Sequence, residues 1–242
     1  MHRLSRNTIC LLLFNHQLSD DQKIIAMNTT LDYAPHILAI RDTLFGDFPL
    51  AHWAGVKAAG MPWDLFKEAK HFLDIGHEEK ALVALQTVLS TPGLESRHYL
   101  QAWHVLSLHG TVPAFPVEIF GLVVEVAMPD GLDLLAVYAD HTARYYNYSG
   151  SGIVWDMEDA EIGGKIDVIL QQGQKIIQQI GPWQGERPAA PVAGKARLNI
   201  LTSHGLYFGE AGQQVLFNDP LASPTMFAML DMMETLIRRT KV

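Results

Sequence analysis

The sequence predicts an α+β protein, in which a small bundle of helices precedes an antiparallel sheet of about five strands with two helices on one face. Apolar residues recur at three- and four-residue steps through residues 31–110, which is typical of helices. Short β-branched and aromatic runs separated by turn residues begin near residue 117 and predict strands. Two long segments with an apolar stripe complete the second part. We therefore expect a leader or docking segment over 1–26, a helical domain over 27–112 and an α+β domain over 113–242.

The helical domain is predicted as a series of short helices separated by glycine. Glycine takes the left-handed conformation that commonly ends a helix. Pro62 stands where a first helical position tolerates proline, and Ser96 is placed to cap the last helix of the series. The predicted ends of four helices are Gly46, Gly60, Gly76 and Gly110.

One stretch of this domain resembles a known family. The stretch Phe72-Leu73-Asp74-Ile75-Gly76 precedes Lys80-Ala81-Leu82, and Leu89, Pro92, Tyr99, Ala102, Trp103, Leu106 and Gly110 follow at spacings typical of helical repeats. Residues 66–110 therefore resemble a single tetratricopeptide-type helical hairpin, over about one fifth of the chain. Because a stable array needs about three copies, we expect one repeat-like hairpin within a small bundle. The resemblance implies a surface that binds another protein.

The α+β domain is predicted to begin after the proline-containing turn at 110–116. The strand predictions are 117–127, 132–139, 143–148, 196–201 and 206–209, with a short apolar run at 153–155. One helix is expected over 160–180 and another over 224–239, the latter with Phe227, Leu230, Met233, Leu236 and Ile237 facing inward. This layer resembles profilin-like and roadblock-like modules. Three prolines over 181–195 predict an extended surface connection.

Composition and charge exclude several classes of function. A formal net charge of −8 argues against a nucleic-acid-binding protein, because affinity for phosphate needs clustered Lys and Arg. The single cysteine, Cys10, excludes an intramolecular disulfide and favours a cytoplasmic location. No uncharged apolar run approaches the roughly 20 residues needed to span a bilayer. The apolar run over 8–14 leaves three alternatives open: a docking helix or tail, a natural start at Met27, or an export signal.

The sequence offers no assembled catalytic or metal-binding pattern. His98 and His104 are six residues apart, which does not place two ligands side by side on a helix. The segment 149–152 lacks the spacing of a nucleophile elbow or a phosphate loop. Asp156, Glu158, Asp159 and Glu161 precede or begin a predicted helix, where acids favour the helix dipole. We therefore predict no catalytic residue, no metal and no cofactor.

The favoured function is a non-catalytic protein–protein interaction or adaptor module, which includes a subunit of a larger assembly. We expect a protein partner or a homo-oligomer. Tyr and Trp are enriched at the energetically important centres of interfaces. The candidate interaction residues are Tyr146, Tyr148, Trp183, Trp53 and Trp63.

The alternative is an enzyme or small-ligand-binding protein, with a pocket between the helical and α+β parts. Domain junctions commonly hold ligands. The candidate pocket residues are Asp140, His141 and Arg144, near the turn between the second and third predicted strands.

Overall fold

A computed structural model of the chain describes residues 33–114 and 116–240. The predicted segment 1–26, with Cys10, lies outside the described residues. In the helical part, α1 is Pro35–Asp42, α2 Leu50–Ala54, α3 Trp63–Asp74, α4 Glu78–Ser90 and α5 Ser96–Leu108. In the second part, β1 is Ile119–Met128, β2 Gly131–Tyr138, β3 Ala143–Tyr146, β4 Gly152–Trp155, α6 Ala160–Ile177, β5 Lys195–Thr202, β6 Gly205–Gly212, α7 Gln213–Asn218 and α8 Ser223–Arg239.

The described strands form one antiparallel sheet in the order β4-β3-β2-β1-β5-β6. The predicted α+β class is confirmed, with six strands in place of about five. The additional strand is β4, whose short apolar run carries too little alternation to stand out in the sequence. It becomes a strand by pairing with β3, where Trp155 lies opposite Ala143.

The two faces of the sheet are covered by different parts of the chain. Helices α6 and α8 pack on one face, where Leu122, Ile166 and Met232 are buried. The opposite face packs against the helical part, with Ile37 of α1 and Leu100 of α5 among the buried residues. Both faces of this sheet are apolar, and an apolar face must be buried against another layer. The helical part supplies that second layer.

Helix α8 is rotated from the predicted orientation. Phe227 was expected to face inward, but 44% of its surface is exposed. Met226, Met229 and Met232 are almost completely buried, together with Leu236, which was expected to face inward. Phe227 packs edge-on against Phe217 of α7, with ring centroids 5.2 Å apart. A neighbouring helix therefore accommodates the ring that the helical pattern alone assigned to the core.

A buried ion-pair network joins the helical part to the sheet. The side chain of Glu125 on β1 is fully buried and pairs with Arg41 of α1 and Arg197 of β5. Asn199 donates a further hydrogen bond to the same carboxylate, with Nδ2 and Oε2 3.0 Å apart. Arg197 also pairs with Glu210 of β6. Buried charges persist in a fold only when such partners compensate for lost hydration.

The connection between α6 and β5 is anchored by the same arginines. Arg41 donates to the carbonyl of Pro188 at 2.8 Å, and Arg197 donates to the carbonyl of Ala189 at 2.7 Å. Arg187 forms ion pairs with Asp42 and Asp47. The proline-rich connection, predicted as a surface segment, thus fastens α1 and the following loop to the sheet.

No helix among the described residues is both long and apolar enough to cross a bilayer.

Replacing Glu125 should destabilise the protein strongly. In Glu125→Ala, two arginines that are almost completely buried lose their shared counter-charge, which typically costs about 3–5 kcal/mol. Urea unfolding followed by circular dichroism measures the change. Lys70→Ala, which breaks the exposed Lys70–Asp74 pair on α3, is the control and should change stability by at most about 0.5 kcal/mol. Equal effects of the two substitutions would contradict the role of Glu125.

Candidate functional site

An apolar pocket lies between the sheet and helix α8. Its volume is about 280 Å³, and it is partly open to solvent. Strands β1 to β3 form one wall, and α7 and α8 form the other. The apolar and aromatic lining includes Val124, Val126, Met128, Leu135, Tyr145, Tyr148, Phe217, Met226, Met229, Leu230 and Met233. Ligand sites are typically concave, mostly apolar surfaces with few polar groups.

Methionine makes this lining adaptable. Met226 and Met229 on α8 are almost completely buried, whereas Met128 and Met233 are half-buried at the edges. Methionine is unbranched, and its thioether is polarisable, so its side chain can adjust to irregular apolar shapes. The pocket can therefore accept apolar groups of differing outline.

One acidic side chain, Asp133, projects into this lining. It lies on β2, two residues before Leu135, so the strand alternation places both on the face covered by α8. Its carboxylate accepts hydrogen bonds from the Tyr145 hydroxyl at 3.2 Å and the Tyr148 backbone N–H at 2.8 Å. Burial raises the pKa of Asp133 because the charged form loses hydration. Burial and the nearby Asp133 charge likewise raise the pKa of Tyr145.

A second, acidic cleft lies between the β2–β3 turn and the start of α6. It has a volume of about 540 Å³ and is lined by Asp140, His141, Asp156, Glu158, Asp159 and Asp167, among others. Two of the predicted pocket residues, Asp140 and His141, are therefore brought together at a concave surface. That surface borders α6, and the helical part contributes none of its lining residues.

Asp140 holds structure together at this turn. Its carboxylate accepts hydrogen bonds from the backbone N–H groups of Ser96, at 2.6 Å, and Thr142, at 3.1 Å. The Ser96 hydroxyl in turn accepts from the Asp140 N–H at 3.1 Å. The Asp140 carboxylate thus satisfies an N–H group at the start of α5 that has no partner within the helix. The two hydrogen bonds between Ser96 and Asp140 also attach α5 to the sheet.

His141 and Arg144 point to different surroundings. His141 lies 2.9 Å from Asp167 with both side chains largely exposed, and its φ of 62° is left-handed. Arg144 lies on the opposite face of β3 from Tyr145, and its guanidinium is 3.7 Å from Glu95. The structure therefore does not assemble Asp140, His141 and Arg144 around one reacting centre.

The predicted interaction residues occupy several environments. Trp53 and Trp63 stack on each other, with centroids 5.6 Å apart, inside the helical part, where Trp53 is buried. Tyr146 is half-buried and packs on the sheet face covered by the helical part. Tyr148 lies beyond β3, is 47% exposed and lines the apolar pocket. Trp183 is also 47% exposed, and its ring packs edge-on against Phe208.

No cluster of three or more His, Cys, Asp or Glu residues in the described part of the chain has a geometry that could hold a metal ion. Asp159 and Glu161 instead act at the start of α6, as the sequence suggested. The Asp159 carboxylate accepts from the N–H groups of Glu161 and Ile162, and Arg239 of α8 pairs with both acids.

The sequence did not predict the methionine-lined pocket with Asp133. Two signals were present. Asp133 interrupts a strand that is otherwise apolar, and methionines recur at 226, 229 and 233, three and four residues apart. Neither signal shows that the two segments face each other, because that depends on the rotation of α8.

The fold and the pocket together define an α+β protein with a ligand-sized cavity within its second part. Comparisons of this chain with models of known protein families, with curated proteins and with solved structures find no match.

Asp140→Ala should destabilise the fold by about 1–2 kcal/mol, since it removes an external cap of α5. His141→Asn is the matched control at the neighbouring position. Asparagine also tolerates the left-handed conformation, and exposed ion pairs contribute little, so a change within about 0.5 kcal/mol is expected. Urea unfolding of both variants measures the difference, and a larger effect at His141 would refute the assignment.

Acidification should destabilise the protein through His98. This residue is buried against Trp53, Trp63 and Phe66, and its burial lowers its pKa, with smaller opposing effects from Glu95 and Asp140. An unfolded histidine binds a proton near pH 6.5, so below that pH the unfolded state binds more protons than the native state. The free energy of unfolding should fall as the pH drops from 7.5 to 5.5.

Burial also lowers the pKa of His104 on the same helix, so it contributes in the same direction. His98→Phe keeps an aromatic ring in the cluster and should reduce the pH dependence of the unfolding free energy. An unchanged dependence in this variant would show that other groups cause the effect.

Proposed function

We propose that this protein binds a small, largely apolar ligand in the pocket between the sheet and α8. The observation that carries the proposal is the open apolar cavity of about 280 Å³, which a single acidic group interrupts. Burying apolar ligand surface contributes about 25 cal/mol per Å², so a cavity lined in this way offers useful affinity to a small apolar molecule.

The arrangement supports binding more than catalysis. Tyr145 is the side-chain partner of Asp133, and burial beside that carboxylate raises its pKa, so it is a weaker acid than a free tyrosine. The described lining contains no histidine, lysine, serine or cysteine that could act as a base or nucleophile beside Asp133. The pocket residues therefore supply shape, apolar surface and a few polar groups, among them Asp133 and Asn147.

The adaptor function favoured by the sequence remains a second proposal. One feature supports it: Trp183 is positioned at the edge of the sheet by hydrogen bonds to β6 and to its own loop. Its backbone N–H donates to the Leu206 carbonyl at 2.7 Å, and its indole N–H donates to the Glu186 carbonyl at 2.9 Å. A half-exposed, fixed indole is typical of an interface anchor. A stoichiometric partner recovered with the protein would support this function.

Filling the pocket should abolish ligand binding. Val126 lines the cavity from β1 and is half-buried, so Val126→Phe places a ring where a ligand would lie. The neutral fluorescent probe N-phenyl-1-naphthylamine should show saturable fluorescence enhancement with the full chain, and the variant should reduce its affinity by about tenfold or more, equivalent to about 1.4 kcal/mol.

Val154→Phe is the matched control. It introduces the same ring on another strand, β4, at an exposed position that does not line the pocket. Probe binding should match that of the unmodified chain, and circular dichroism should confirm that both variants are folded. Absence of saturable binding to the unmodified chain, or equal binding by the two folded variants, would reject the proposed function.

A further inference from the structure

The acidic group in the apolar pocket has no charged partner of its own. Among the described residues, no Lys, Arg or His forms an ion pair with Asp133. Glu125, by contrast, forms ion pairs with two arginines, Arg41 and Arg197. Asp133 is also the one Asp or Glu among the described pocket-lining residues. The pocket therefore has a mostly apolar lining and one carboxylate, Asp133, whose charge is not balanced by an ion pair.

The hydrogen bonds of Asp133 leave room for another donor. One oxygen accepts from the Tyr148 N–H and the other from the Tyr145 hydroxyl. Because a carboxylate offers about four acceptor positions, two remain for a group outside the protein. The two existing donors also fix the orientation of the carboxylate, so a ligand meets it without having to order it first.

We propose that the ligand is an amphipathic amine, whose apolar chain or ring fills the methionine-lined pocket while its ammonium group contacts the Asp133 carboxylate. This inference rests on the proposed function and names the chemical class that the same pocket takes. Charge complementarity selects this class. A desolvated carboxylate gains a charge-assisted hydrogen bond from an ammonium, whereas a ligand carboxylate would place two acids together in an apolar site.

The preference for an amine follows from the strength of that contact. The hydroxyl of an alcohol can also donate to the charged carboxylate, but only an ammonium adds a full opposite charge to that hydrogen bond. An amine should therefore bind about tenfold more tightly than the alcohol with the same chain. Burial raises the pKa of Asp133, whereas a neighbouring ammonium favours the ionised carboxylate, so the two effects on this group oppose each other.

The test compares hexylamine, hexanol and hexanoate, which share one apolar chain and differ in the head group. Each displaces N-phenyl-1-naphthylamine from the full-length protein at pH 7. The expected order of affinity is hexylamine, then hexanol, then hexanoate. Asp133→Asn keeps the shape of the side chain and should reduce the preference for hexylamine over hexanol to about twofold or less. Retained binding of the probe shows that the variant is folded and its pocket intact.

Asp130→Asn is the matched control, since it removes a neighbouring, exposed aspartate that does not line the pocket. It should preserve the full preference for the amine. Hexanoate binding as tightly as hexylamine, equal binding of hexylamine and hexanol, or a preference that survives Asp133→Asn would overturn the inference. If one of these results were obtained and hexanol still bound saturably, with Val126→Phe abolishing that binding, the inference would fail but the proposed function would be retained. Failure of every compound to bind would reject both.

Discussion

The burial of the Glu125 carboxylate is the constraint on which the arrangement of the layers depends. A fully buried negative charge requires compensation, and its two arginines come from α1 and β5, while Asn199 donates from the same strand as Arg197. Terminal guanidinium nitrogens of Arg41 and Arg197 also donate hydrogen bonds to the carbonyls of Pro188 and Ala189. A single acid on β1 thereby fixes a helix, a strand and a long connection relative to one another. The helical layer is positioned over the sheet by charge as well as by apolar contact.

The two faces of the sheet have different consequences for function. On the face covered by the helical part, ion pairs and the two hydrogen bonds between Ser96 and Asp140 join segments that are distant in sequence. On the other face, α8 packs closely at Met232 and Leu236 but leaves a cavity near Asp133. Interior packing normally leaves few voids larger than water. A ligand-sized opening beside an unpaired acid therefore distinguishes this end of the layer from the rest of the core.

Much of the fold follows from sequence pattern, whereas the site does not. Glycine and proline positions predict the divisions between helices, and alternating strands predict the sheet, because local conformation and burial periodicity agree there. Phe227 shows the limit: Met226, Met229 and Phe227 are all apolar residues of α8, and their spacing does not reveal that Phe227 lies half-exposed against Phe217. The partnership of Asp133 with methionines almost a hundred residues later depends on the rotation of α8. The sequence likewise does not distinguish Glu125 from an exposed acidic residue of a strand, because its partners Arg41 and Arg197 are distant in sequence.

The methionine content of the pocket wall makes this surface sensitive to oxidants. Conversion of a thioether to a sulfoxide replaces an apolar, flexible group with a polar, chiral one. Met128 and Met233 are the half-buried members of the lining, whereas Met226 and Met229 are almost completely shielded. Within this lining, oxidation should therefore begin at the margins of the cavity and alter its polarity before it disturbs the packing of α8. The chemical history of a preparation, as well as its sequence, would then determine how apolar this surface is.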